Sequence, residues 1–246
     1  LRWAINKANA NPNESIIDFN IPGTGPITIT LNTTLAPITK TVTIDGTTQP
    51  GYDFNDPGNP MIIITGNGLM TGLVFNSCQR VKVSGIHLKN FYAGLALNFC
   101  NYGEIINNVI TGSSSVSLHL VSSHFNTIKG NYIHVNKTLA NPGTICEEGI
   151  FIQSSNDNII GGLNCREGNT IGYIRSEGID NYSNVGQRNR YAGNCLFEND
   201  IAYSPRYEIL LRGGNGGKLP PVITTAACDV AGTSQANNTI ELFGSS

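Results

Sequence analysis

GLALNFCNYGEI, at residues 94–105, is one copy of a pattern that recurs along this chain. Related copies are GLVFNSCQRVKV from Gly72, SLHLVSSHFNTI from Ser117 and GIFIQSSNDNII from Gly149. The starts at 72, 94 and 117 lie 22 and 23 residues apart. A fixed period in this range is typical of a solenoid, in which each repeat is one coil that packs against its neighbours. The sequence therefore predicts an all-β solenoid.

Each copy also predicts which side chains point outward. Apolar residues alternate along its first strand, as in Leu95 and Leu97, and strand side chains alternate between faces. The residues between them then face solvent: Ala96, Asn98, His119, Val121, Phe151, Gln153, Asp180, Tyr182, Leu210 and Arg212. A recurring Asn precedes a second strand of the coil. These residues, which we predict to hold the turn and bond the next coil, are Asn108, Asn131, Asn169 and Asn194.

The two ends of the chain differ from the coils. Residues 1–10 place Leu1, Ala4, Ile5 and Ala8 on one apolar helical face, which predicts a short helix that caps the solenoid. We predict a β-helix with its cap over residues 1–218, and a linker with the start of a second β module or a C-terminal extension over 219–246. Insertions at 137–148 and 162–168 are expected to shape one face. Leu1 lies in mid-pattern, so we expect a longer protein with further domains.

Composition narrows the classes of function. Charged residues make up 13% of the 246 residues and the net charge is −2, which argues against nucleic acid as a partner. No apolar run approaches the ~20 residues that a membrane span needs. The six cysteines are an even number, which permits disulfides and moderately favours a secreted or cell-surface location.

Cysteine positions leave several pairings open. Cys78 and Cys100 are equivalent in successive coils, 22 residues apart, and would lie either as stacked inward thiols, the more common arrangement, or as a disulfide. Cys146 and Cys165 flank one coil in loop-like segments and are a second candidate pair. Cys195 with Cys228 is a weaker third.

The coil pattern, exemplified by GIFIQSSNDNII and by GNYI at 130–133, resembles the right-handed parallel β-helix proteins of the pectate-lyase-like superfamily. The first coils and the tail resemble large secreted bacterial surface proteins. The resemblance implies a right-handed parallel β-helix and export, but no activity, since this fold hosts lyases, hydrolases, adhesins and stalks. The Asn-Thr-Asp, Asp-Asp, His-Gly and Arg-Ile-Lys motifs of polygalacturonases do not occur in this chain, so we transfer no catalytic residue from the family.

The later coils gather the candidate site residues on one outer face. Aromatic rings stack on sugars and amides bind them through hydrogen bonds, so the candidate carbohydrate-binding residues are His119, Phe151, Gln153 and Tyr182. Glu148 and Glu177 each precede a glycine that starts a strand. Stacked one coil apart, they would either keep a proton or bind a cation, with calcium as the candidate. No other cofactor is expected.

Three functions stay open at this point. The first is a structural or adhesive surface module that contacts a polysaccharide or another cell-surface component. The second is a polysaccharide lyase or glycoside hydrolase acting on an acidic polysaccharide, with Glu177, Asp180 and Arg212 as the candidate catalytic residues. The third is a sugar-binding module that uses the same face without turnover. The alternative to all site hypotheses is a solvated surface that holds these residues by chance.

Overall fold

The parallel β-helix predicted from the repeats is confirmed. A computed structural model describes residues 1–182, 188–199, 209–212, 222–226 and 230–233, with side chains described up to residue 199 and at Ile209. The coils stack their strands into three sheets in which every pairing is parallel. Each complete coil contributes one strand to each sheet, so the sheets line three sides of one elongated core.

The strands are numbered in chain order. The first sheet contains β1 (Ser15–Asp18), β3 (Val42–Asp45), β6 (Lys82–Ser84), β9 (Glu104–Ile106), β12 (Thr127–Lys129), β15 (Ile159–Gly161) and β18 (Arg190–Ala192). The second contains β2 (Ile27–Thr30), β4 (Ile62–Thr65), β7 (Ile86–Lys89), β10 (Val109–Thr111), β13 (Tyr132–Ile133), β16 (Thr170–Gly172) and β19 (Cys195–Phe197). The third contains β5 (Leu73–Asn76), β8 (Ala93–Asn98), β11 (Val116–Val121), β14 (Glu148–Gln153), β17 (Ile179–Tyr182) and β20 (Ile209–Arg212).

The N-terminal helix α1 (Arg2–Ala10) covers the open end of the core, as predicted. Ile5 and Ala8 are buried at 1% and 4% exposure. The Arg2 guanidinium fixes the helix to the first coil by donating to the carbonyl oxygens of Thr33 and Thr34 at 2.6 and 2.7 Å. A short 3₁₀ helix follows β3 at Gly46–Thr48. Among the described residues, no helix has the length and apolar character needed to cross a bilayer.

The core is built from side chains that stack in register. Leu95, Leu118, Ile150 and Ile179 pair across successive coils of the third sheet, and all four are fully buried. The same holds in the first sheet for Val83, Ile105, Ile128 and Ile160. The alternation in the sequence thus identified the inward positions of the third sheet.

Shortening one of these stacked side chains is expected to leave a cavity. Leu97 is fully buried between its register partners Phe75 and Leu120, so Leu97→Ala should lower the free energy of unfolding by about 2–5 kcal/mol. Urea denaturation measures the change. The half-buried Val121 on the neighbouring strand is the control, and Val121→Ala should cost less than about 1 kcal/mol. Equal costs for the two variants would contradict the predicted register.

The recurring asparagines hold the coils together at the turn between the first and second sheets. The side chain of each accepts a bond from the backbone N–H of the asparagine before it, and these Oδ1–N distances are 2.9 Å for Asn108–Asn131, 3.0 Å for Asn131–Asn169 and 3.0 Å for Asn169–Asn194. The predicted ladder is confirmed. The left-handed backbone, however, lies one residue earlier, at Asn107, Gly130 and Gly193.

Beyond the coils, the described chain changes its strand pairing. Strands β21 (Val222–Ala226) and β22 (Val230–Thr233) pair antiparallel with each other, unlike the strands of the three coil sheets. A separate β module over 219–246 stays a prediction.

Candidate functional site

The outer face of the third sheet brings together the residues predicted to bind carbohydrate. His119 pairs in register with Phe151 across β11 and β14, and Gln153 pairs with Tyr182 across β14 and β17. The ring centroids of His119 and Phe151 are 5.0 Å apart, and those of Phe151 and Tyr182 are 5.7 Å apart. Three rings therefore form a row along the solenoid axis. Tyr182 is 46% exposed at the end of this aromatic row.

His119 is held as a neutral ring in this row. Burial lowers the pKa of its imidazole below the ordinary value. Its Nε2 atom is buried and has no hydrogen-bond partner among the residues that the structure describes. The ring therefore offers a flat, uncharged surface next to Phe151.

Three carboxylates converge beside the aromatic row. One oxygen from each of Glu148, Glu177 and Asp180 lies within 4.8 Å of the others. Glu148 begins β14, whereas Glu177 precedes β17 and Asp180 lies within it, so the group joins two successive coils. The Ser176 hydroxyl donates to Glu177 Oε2 at 2.6 Å. We call these three residues the acid cluster.

The acid cluster is not the solvated surface that its outward register suggests. Asp180 is 1% exposed and Glu177 is 5% exposed, while Glu148 is half-buried. The strand pleat sets the direction of a side chain but not its depth. Phe151 is the register partner of Asp180, and the other two carboxylates lie close to it. Close carboxylates with little solvent between them favour a cation in their midst.

The separation of the three oxygens suits calcium. Calcium binds carboxylate oxygens at about 2.3–2.6 Å, so two oxygens on one ion lie at most about 5.2 Å apart. The acid cluster satisfies this limit as it stands. The sequence predicted two of its members as a cation site, and the structure adds Asp180. The side chain of Arg212, the third candidate catalytic residue, lies outside the described residues, although its backbone belongs to β20.

The insertion at 137–148 borders a groove, which fits the prediction that insertions shape one face. A cavity of about 780 Å³ is lined by Gly143, Thr144 and Ile145 of the insertion. The lining of this cavity also includes Arg175 and Glu147, which form an ion pair with an Nη1–Oε1 distance of 2.8 Å. Sequence reasoning missed Arg175, because it precedes the coil pattern and matches no repeated position.

The described cysteines all carry free thiols. Cys78 and Cys100 are the stacked inward thiols of the first interpretation, with their sulfurs 3.2 Å apart. The predicted Cys146–Cys165 disulfide is wrong for this structure, since Cys146 is buried under β14 while Cys165 is exposed in a loop. Cys195 is free and exposed, and Cys228 lies outside the described residues.

Comparison with known proteins identifies a matching family and a similar solved structure. Residues 10–217 match the profile of a family described as periplasmic copper-binding protein (NosD). No curated protein matches this chain. A crystal structure of Dettilon tailspike protein (gp208) is similar over 87% of this chain, with 12% sequence identity and a TM-score of 0.32. The matched part is 56% of that tailspike chain.

Proposed function

Because this chain belongs to the NosD family of periplasmic β-helix proteins, we propose that it acts outside the cytoplasm as a structural and adhesive module that binds an acidic polysaccharide. The observation that carries the proposal is the row of three rings, His119, Phe151 and Tyr182, beside the acid cluster on one outer face. Sugar rings pack on aromatic faces, and Gln153 supplies hydrogen bonds next to Tyr182.

Calcium gives this face its preference for acidic sugars. An ion held by the acid cluster keeps coordination positions for further ligands, since calcium takes six to eight oxygens. Glu148 is the least buried of the three acids, so the ion is reached from its side. A sugar carboxylate is a suitable further ligand there. Glu177 and Asp180 are too buried to touch a substrate, which favours cation binding over general acid–base catalysis by the same carboxylates.

Calcium binding is expected to depend on the acid cluster. In calorimetric titration, Asp180→Asn and Glu177→Gln should each weaken calcium binding by about 100-fold, equivalent to about 2.7 kcal/mol. Glu104→Gln is the control, since Glu104 lies in an exposed pair with Lys82. Unchanged calcium affinity in both variants would contradict the site.

The polysaccharide itself is tested by binding and by turnover on the same panel. We expect acidic polysaccharides to be retained on immobilised protein with calcium, and retention to fall when Phe151→Ala or Tyr182→Ala removes a ring. New reducing ends or unsaturated products, lost in Asp180→Asn, would instead identify a hydrolase or lyase. Equal retention of neutral and acidic polysaccharides would refute the proposed role of calcium.

Copper, which the family description names, does not suit the acid cluster. Carboxylate oxygens are hard ligands that suit calcium, magnesium and manganese, whereas copper is favoured by imidazole nitrogen or by thiolate and thioether sulfur. Among the described residues, the acid cluster is the single convergence of three or more histidine, cysteine or acidic ligands. Within the described part of the chain, a copper site would therefore use fewer residues with softer donors.

A further inference from the structure

Two buried thiols offer sulfur donors in earlier coils of the solenoid than the coils that hold the acid cluster. The sulfurs of Cys78 and Cys100 lie 3.2 Å apart, and the two residues are 4% and 0% exposed. They come from successive coils, at the turn that follows the third sheet. This dithiol is separate from the acid cluster, which joins β14 and β17.

The equivalent positions of the following coils carry serine. In the next two coils these residues are Ser123 and Ser155, and each hydroxyl accepts a bond from the backbone N–H of the preceding coil's equivalent residue, at 3.0 and 2.9 Å. The Cys100 sulfur takes the same place, since it is hydrogen-bonded to the Cys78 backbone. Unlike serine hydroxyls, the two contacting thiols also offer two soft ligand atoms.

A cavity gives access to the dithiol. It has a volume of about 460 Å³ and is lined by Cys78 together with Lys40 and Arg80, with Glu14 at the capping end. The lining thus has two cationic side chains and one acidic side chain. Its net positive charge favours a bound metal complex that carries a negative charge. A monovalent ion between two thiolates carries a net charge of −1, which this lining offsets.

We propose that Cys78 and Cys100 bind one Cu(I) ion at the floor of this cavity. Thiolates select Cu(I) among the copper oxidation states. Sulfur–metal bonds are about 2.3 Å long in protein zinc sites, so two sulfurs on one ion lie at most about 4.6 Å apart. With the ion directly between them, the sulfurs separate by about 1.4 Å from their present 3.2 Å, and Cys78 has the cavity beside it. Both thiol protons leave to solvent when the ion binds, and no electron is transferred.

Each sulfur of the pair also contacts a backbone carbonyl oxygen, Ile38 O at 3.7 Å from Cys78 Sγ and Asn98 O at 3.2 Å from Cys100 Sγ. Cys146 is the contrasting case, because the side chain beside its sulfur is the Ser117 hydroxyl, at 3.4 Å, and not a second thiol.

The test is a Cu(I) titration of the reduced protein without oxygen, in competition with a chromophoric Cu(I) chelator. We expect one ion per chain in the wild type and at least about 100-fold weaker binding in Cys78→Ser and in Cys100→Ser. Serine already occupies this ladder position in the following coils, so both variants should fold, and thermal melting checks this. Cys146→Ser is the matched buried-thiol control and should bind like the wild type.

Alkylation of the wild-type protein gives a second readout that needs no variant. Bound Cu(I) should protect Cys78 and Cys100 from an alkylating reagent, as mass spectrometry of the peptides would show, while Cys165 stays reactive because it is exposed. X-ray absorption should find two sulfur ligands. Full Cu(I) affinity in both serine variants, or protection of Cys146 instead of the pair, would overturn the proposal.

Discussion

Asn131→Ala is expected to lower the free energy of unfolding by about 3–5 kcal/mol, because a fully buried amide loses all of its partners. Asn131 Nδ2 donates to the Ile105 carbonyl oxygen at 2.8 Å and to Asn169 Oδ1 at 2.9 Å. Its Oδ1 accepts from the backbone N–H of Asn108 at 2.9 Å and from the Asn108 amide at 3.1 Å. Alanine leaves these buried groups unsatisfied, and each unsatisfied group costs about 1–3 kcal/mol.

Urea denaturation followed by circular dichroism measures this loss. Asn59→Ala is the control, since Asn59 is exposed and is held by a backbone hydrogen bond to Asp56 that alanine keeps. The control should change the free energy of unfolding by less than about 0.5 kcal/mol. A similarly small change in Asn131→Ala would show that water replaces the amide and that the ladder contributes little to stability.

The Asn131 ladder was predicted from its repeated residue type, whereas a second ladder of asparagines was missed although its residue type also repeats. Asn126 Oδ1 accepts from the Gly103 N–H at 2.7 Å, and Asn158 Oδ1 accepts from the Asn126 N–H at 2.8 Å. Asn189 continues the series with Asn158 at 2.9 Å. The earlier coil carries Gly103 at this position, so the run of identical residues begins only at Asn126.

The sequence predicted which way the site's side chains point but not how deeply they are buried. A period of two identified His119, Phe151 and Tyr182 as outward residues, and the register then placed their rings in contact. The same rule made Asp180 a surface acid, whereas it is 1% exposed. Burial depends on which side chains lie in the adjacent coils and on where the loops pack. A repeat pattern specifies neither of these.

The cysteines show the same limit, because positions could be predicted inside the coils but not in the loops. Equivalent coil positions repeat at the strand spacing, so Cys78 and Cys100 could be placed side by side from numbering alone. Cys146 and Cys165 lie in segments outside the repeat, where separation along the chain says nothing about distance. The structure puts one in the core and the other at the surface.

A single methyl group at Gly94 is expected to cost more than about 3 kcal/mol, because it has no space in the stack. A Cβ atom at Gly94 would lie 2.6 Å from the Ser117 carbonyl oxygen and 2.4 Å from Ile110 Cγ2. The Ser117 carbonyl belongs to β11, which pairs with β8 along its length, so it cannot retreat without opening the third sheet. Gly94→Ala should therefore unfold at a lower urea concentration than any surface variant.

The control for Gly94→Ala separates crowding from backbone strain. Gly143 has a left-handed φ of 70°, and no atom lies within 4 Å of the place that an added methyl group would take, so Gly143→Ala should cost only the conformational strain of about 1–2 kcal/mol. Gly94 has no such φ, and its cost is therefore steric. If Gly94→Ala is no more destabilising than Gly143→Ala, adjacent coils pack loosely enough at this position of β8 to admit a methyl group. The glycine that opens three of the four quoted repeats would then not be required for stacking.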